Sequence, residues 1–145
     1  MDNFLFVKHF KPDSTVDRWG DPSKIDGVLL QKVDAFREML GLPVYVTSGY
    51  REGGPKEHGR GLALDVVVPQ FTGHLLDLFF AASRFHFNGI GLYRDWKWNG
   101  IACGGLHLDN RNAAFEARWA CYKDDAGVQI YTALDVATLR GLKII

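Results

Sequence analysis

The chain has 145 residues, 47% of them hydrophobic and 23% charged, and its 17 basic residues balance its 17 acidic ones. That length suits a single domain over residues 1–145, with a core large enough to fold without help from a disulfide or a metal. A net charge near zero argues against a long-range electrostatic grip on nucleic acid or an anionic membrane. The aromatic fraction, 13%, is somewhat high. Such side chains serve a core first, or line a groove for glycan or peptide.

The N-terminus, Met1 to Lys8, has no basic segment followed by a long apolar run. No signal peptide is expected, and synthesis in the cytoplasm follows, so that action outside it would require release by something else. No apolar stretch approaches the roughly 20 residues of a membrane span, so no membrane insertion is expected. The first 22 residues read as irregular. Ser23 then opens a helix, with Asp26 three positions on as in a capping box. Ile25, Val28, Leu29, Val33, Phe36 and Leu40 recur at helical spacing, and Gly41 followed by Pro43 stops the helix. Val44 to Thr47 reads as a strand and Ser48 to Pro55 as a loop. Leu62 to Val68 is a second strand, Thr72 to Ser83 a second helix. Gly89 to Tyr93, Leu106 to Leu108 and Ala117 to Tyr122 are short strands. Asp124 to Gly127 is a turn and Leu134 to Leu139 a terminal helix. The order predicts an α+β fold, a small, mostly antiparallel sheet with helices against it. Cys103 and Cys121 belong to no C-x-x-C pair, which disfavours a thiolate zinc site; two buried thiols are the expectation, ahead of a disulfide.

The most informative stretch is Glu57-His58-Gly59-Arg60-Gly61-Leu62-Ala63-Leu64-Asp65. Its glycines allow a tight return of the backbone, so His58 and Asp65 can converge. Ala63 shares a strand face with Asp65 and leaves room beside it. Further on, His107 and Asp109 lie two apart on a strand and face one side. Two imidazoles and a carboxylate, with a place left for water, have the composition of a catalytic zinc site. From spacing alone, a lone His with a distant Asp is more often a structural hydrogen-bonded pair, and that reading of His58 and Asp65 comes ahead of metal binding.

These residues form the pattern H-x-x-G-x-A-x-D (His58, Gly61, Ala63, Asp65), followed by H-x-D (His107, Asp109), which resembles the M15 zinc peptidases. That family contains D-Ala-D-Ala carboxypeptidases and L-Ala-D-Glu endopeptidases, many of them phage endolysins. Thr47 to Arg51 is similar to the family's S-G-Y-R loop, and Gly89 to Tyr93 to its G-I-G-x-Y strand. Asp109 to Arg111 and Ala117 to Trp119 are similar to the segment that follows the last ligand. The resemblance covers residues 25 to 120.

It implies a hedgehog/D-Ala-D-Ala peptidase-like fold and one Zn2+ held by His58, Asp65 and His107. It implies a monomeric hydrolase of peptidoglycan stem peptides, with Arg51 polarising the scissile carbonyl or binding a carboxylate. Ser48 would orient Arg51 or the substrate, and Tyr93 would touch substrate or belong to the core. One departure stands out. Many members carry an acid three residues before the last histidine as general base, and here that position is Gly104. Asp109 is the nearest substitute as base, or else it fixes a ligand ring; Glu52 and Glu57 are further candidates. Two other readings remain. The chain is a metal-binding module without peptidase activity, or a cell-wall-binding component using Trp96, Trp98 and Trp119.

Overall fold

A computed structural model describes residues 2–134 of the chain. The first helix, α1, runs Gly27–Leu40, and its start differs from the expectation. Asp21 caps a 3-10 turn, Pro22–Lys24, and Ile25 after it is extended. The Asp26 carboxylate then accepts from the Leu29 amide at 2.9 Å. Asp26 is therefore the N-cap itself, and Ser23 belongs to the preceding turn. Gly41 ends the helix as expected, at φ +66, its amide donating to the Arg37 carbonyl. Leu29, Leu30, Val33 and Phe36 are fully buried, each contributing roughly 1.5–3 kcal/mol of apolar burial.

The remaining elements are β1 (Tyr45–Ser48), α2 (Lys56–Gly59), β2 (Ala63–Val67), α3 (Leu75–Ala82), β3 (Gly89–Tyr93), β4 (Gly105–Asp109), β5 (Ala117–Lys123) and β6 (Gln129–Ala133). Helix α3 is shorter than the expected Thr72–Ser83; a 3-10 turn, Ser83–Phe85, follows it. Strand β6 has no counterpart in the expectations. The terminal helix expected over Leu134–Leu139 lies outside the described residues, apart from Leu134. Among the described residues no helix is long and apolar enough to cross a membrane.

The six strands form one sheet in the order β1-β2-β4-β3-β5-β6. Every pairing is antiparallel except β3 with β5. Strand β4 turns back beside β3, and β5, reversed once more, lies on the other side of β3 parallel to it. The fold is thus α+β, with a mostly antiparallel sheet that contains one parallel pair.

Alternation divides the sheet into two faces. Val46, Val66, Leu106, Leu92 and Ala120 pair across one row and are fully buried. They pack in one apolar cluster with α1 and with Leu76, Leu78, Phe79 and Ala82 of α3. The next row, on the opposite face, pairs Ser48, Asp65, His107, Gly91 and Trp119. Residues 17 to 19 cover the outer edge of β1: the Arg18 amide donates to the Val46 carbonyl, and the Tyr50 amide to that of Trp19. This fixes the loop leading away from Ser48.

Candidate metal centre

Three stretches of chain converge on Asp65. Its own strand, β2, is buried along its whole length. His107 is its direct cross-strand partner on β4. His58 arrives from α2, a single turn of helix in the glycine-rich segment. Gly61 makes that approach possible: it sits at φ +71, and a Cβ there would lie 1.8 Å from the Lys24 carbonyl oxygen. All three side chains are nearly buried, and one ligand atom from each lies within 4.8 Å of the other two.

The orientation of the two rings is set from behind. His58 Nδ1 lies 2.7 Å from the Gly49 carbonyl oxygen, which only accepts, so Nδ1 carries the proton. Its Nε2 faces Asp65 Oδ1 at 3.3 Å. His107 Nε2 donates to Asp109 Oδ2 at 2.7 Å, and its Nδ1 faces the same Asp65 Oδ1 at 2.9 Å. Asp109 is wholly buried and clamped by Arg111, whose Nη2 lies 2.7 Å from Oδ2 and Nε 3.0 Å from Oδ1. Burial pushes the Asp109 carboxyl up. Hydrogen bonds from His107 and Arg111 outweigh it and hold the group well below the carboxylate range, so it stays an anion.

With both outer nitrogens protonated, both inner nitrogens turn a lone pair toward the Asp65 carboxylate. Two lone pairs and an anion repel unless a cation lies among them. A proton can fill that role. Burial alone would lower the His107 pKa, but Asp109 and Asp65 outweigh it and raise it to about 9. Burial likewise raises the Asp65 carboxyl, and hydrogen bonds from His107 and His58 bring it below its ordinary value. A divalent cation satisfies all three donors at once. Tetrahedral ligands about 2.0–2.2 Å from zinc stand about 3.4 Å apart, close to the spacings seen between Asp65 and the two rings. The donor set therefore fits a metal ion, with Gly49 and Asp109 as the outer partners that orient the ligands.

The cavity beside the triad measures ≈ 370 Å³. Arg51, Glu57, Tyr93, Trp119, Arg111 and Tyr131 contribute to its wall. Arg51 donates through Nε to Ser48 Oγ at 2.8 Å and reaches Asp65 Oδ2 through Nη2 at 3.4 Å. A register shift between Val46 and Ser48 in β1 accompanies this contact; such bulges re-aim side chains. The Tyr93 hydroxyl accepts from Trp119 Nε1 at 3.2 Å, and burial pushes its pKa up to about 12. Two strand glycines make room for these groups. A Cβ on Gly91 would come within 2.4 Å of the Trp119 indole, and one on Gly89 within 2.3 Å of the Asp109 carboxylate.

The structure thus brings Ser48, Arg51, His58, Asp65, Tyr93, His107 and Asp109 into one neighbourhood. Glu52 does not line this cavity, whereas Glu57 does. Cys103 and Cys121 are both free thiols. Three participants escaped the sequence: the Arg111 clamp, the Gly49 carbonyl and Tyr131 on β6. Arg111 follows His107 at a helpful spacing, but nothing in the sequence says that its guanidinium turns back onto Asp109. Gly104 has φ +66, and a Cβ there would meet the Leu75 side chain at 2.8 Å. An acid at that position would be strained as well as crowded. Comparison of the chain with protein-family models, with curated proteins and with solved structures finds no match.

Proposed function

We propose that this chain is a zinc-dependent peptidase that hydrolyses bonds in the stem peptide of bacterial peptidoglycan, as its M15-like motifs imply. The observation that carries the reading is the pair of imidazoles turning their inner nitrogens on Asp65, each held from behind by a fixed acceptor. Three protein ligands of the N, N, O type suit a catalytic zinc site, whereas a structural site takes four. When bound, zinc supplies Lewis acidity toward a carbonyl and makes water acidic enough to ionise near neutral pH.

The chain's own residues take the remaining roles. Arg51, anchored by Ser48, directs a permanent positive charge into the cavity and stabilises charge developing on the scissile carbonyl oxygen. Asp109 is occupied by His107 and Arg111 and buried from solvent, which favours the ring-fixing role over that of base. Glu57 is the other acid, besides Asp65, on the cavity wall. It takes a proton from the attacking water and passes it to the leaving amine. Tyr93, protonated at neutral pH, donates a hydrogen bond and does not act as base.

The backbone at Gly104 favours a second reading, a metal-binding module that has lost the chemistry. Incubation of the zinc-loaded protein with purified muropeptides, with mass spectrometry of the products, separates the two. Cleaved stem peptides are expected. Intact muropeptides with stoichiometric zinc on the protein would support the module instead. Glu57→Gln should lower kcat on the order of 10²–10⁴-fold with zinc content unchanged. An undiminished kcat would remove Glu57 from the role.

A further inference from the structure

A second cavity, of ≈ 360 Å³, adjoins the first on its β1 side. Its own walls are Thr47, Val67 and Lys97, and it shares Arg51, Asp65 and Trp96 with the cavity already described. The triad carboxylate and the guanidinium that would meet the substrate thus stand on the common rim of two spaces, not at the end of one.

The two spaces lie along a line across the strands. Thr47 belongs to β1 and Tyr131 to β6, the two edges of the sheet. Strands about 4.8 Å apart put those edges about 24 Å from each other. Extended chain advances at most about 3.3–3.6 Å per residue, so the path holds about seven residues.

Trp96 is one of the walls common to both cavities, and it is fixed. Its ring stacks on Tyr93 with centroids 4.2 Å apart and planes at 17°. The arm that carries it folds into a small hairpin, in which the Trp98 amide donates to the Ile101 carbonyl and the Ile101 amide to that of Trp98. Asn99 and Gly100, at φ 47 and φ 82, make its two-residue turn. Trp98 in turn stacks on Tyr45 of β1, 4.9 Å away and within 5° of parallel. Fastened to β3 at one point and to β1 at another, the arm stands beside both cavities.

A site built to release one terminal residue needs a small, closed compartment beyond the scissile bond. The cavity on the β1 side is within the ~300–1,000 Å³ range of sites that hold a whole small-molecule ligand. One released amino acid would leave most of it empty. Of its two cations, Lys97 is exposed on the arm and Arg51, on the shared rim, is exposed as well, so neither is set as a buried receptor for a terminal carboxylate.

We infer that the ligand is an extended peptide lying across the strands through both cavities, so that the bond presented to the triad is internal, with at least two residues on either side. The inference rests on the peptidase reading for the bond that is cut, and on the cavities alone for the path of the chain.

The test has two arms. In the first, metal-free wild-type protein is titrated calorimetrically with N-acetylated, C-amidated stem peptides lengthened one residue at a time from either end. Affinity should rise at least about tenfold from extension at each end. Gain from one end only, or from neither, overturns the inference. Thr47→Trp, which fills the β1-side cavity, should erase the gain from one end and keep that from the other. Should this variant fail to fold, the length series on the wild type decides alone. In the second arm the zinc-loaded protein acts on the same peptides. Products of two or more residues on both sides are expected, and release of single terminal residues overturns the inference. Two-sided gain in affinity with no cleavage of any peptide would defeat the peptidase reading and leave the path of the chain standing.

Discussion

Along one row of the sheet, Val46, Val66, Leu106, Leu92 and Ala120 meet only apolar neighbours and no solvent. One residue along on four of these strands, and two along on β1 where the bulge intervenes, the row is Ser48, Asp65, His107, Gly91 and Trp119. The first row holds two helices to the sheet. The second holds a cluster of donors, a bare stretch of backbone and an indole. Because strand side chains alternate, five strands carry both functions, and a slip of one register would drive His107 into the core. Folding and chemistry are written at alternate positions here, so substitutions on the two faces should fail in different ways.

The largest expected effect lies on the apolar face. Leu108→Ala removes a fully buried side chain that pairs with Leu64 and Ile90. It should lower the stability of the metal-free protein by about 2–5 kcal/mol in urea unfolding, with zinc affinity in the folded fraction kept. Loss of zinc affinity without loss of stability would break the division between the faces. On the opposite face, Asp109→Asn removes the anion behind His107. Zinc affinity should weaken about 10–100-fold by competition with a chromophoric chelator. An unchanged affinity would mean that the His107 ring needs no partner behind it. The smallest effect is expected at the bare stretch. Gly91→Ala puts a methyl against the Trp119 indole and should cost about 1 kcal/mol, while shifting tryptophan emission as the ring moves into the cavity. Full stability with unshifted emission would show that the indole does not lie on that backbone.

Much of this arrangement is legible in the residues. Gly41 after a run of helical spacing is a stop, and Gly89 to Tyr93 forms a strand with the expected ends. His58 and Asp65 converge through a glycine-rich turn, which is a local signal, whereas His107 reaches Asp65 by a cross-strand pairing between residues 42 apart in sequence. Other features depend on tertiary contacts. Gln129 to Ala133 alternates between exposed and half-buried on an edge strand, so it lacks the aliphatic run that marks β2 and β4. The start of α1 moved because Asp26 competes with Ser23 as a cap and its amide is tied to the distant Gly61 carbonyl. Asn99-Gly100 is a strong two-residue hairpin signal, but only the stacks on Tyr93 and Tyr45 give that hairpin its place beside the triad. The clamp of Arg111 on Asp109 is invisible in sequence, since a guanidinium two residues after a carboxylate usually points to water.

Metal content decides whether His58, Asp65 and His107 hold an ion. Wild-type protein, His58→Ala and His107→Ala are purified without chelator, dialysed against trace zinc, and measured by inductively coupled plasma mass spectrometry alongside circular dichroism. One zinc per wild-type chain is expected, none retained by either variant, and an unaltered fold in all three. Wild-type protein free of zinc, or variants that keep a full equivalent, would contradict that assignment.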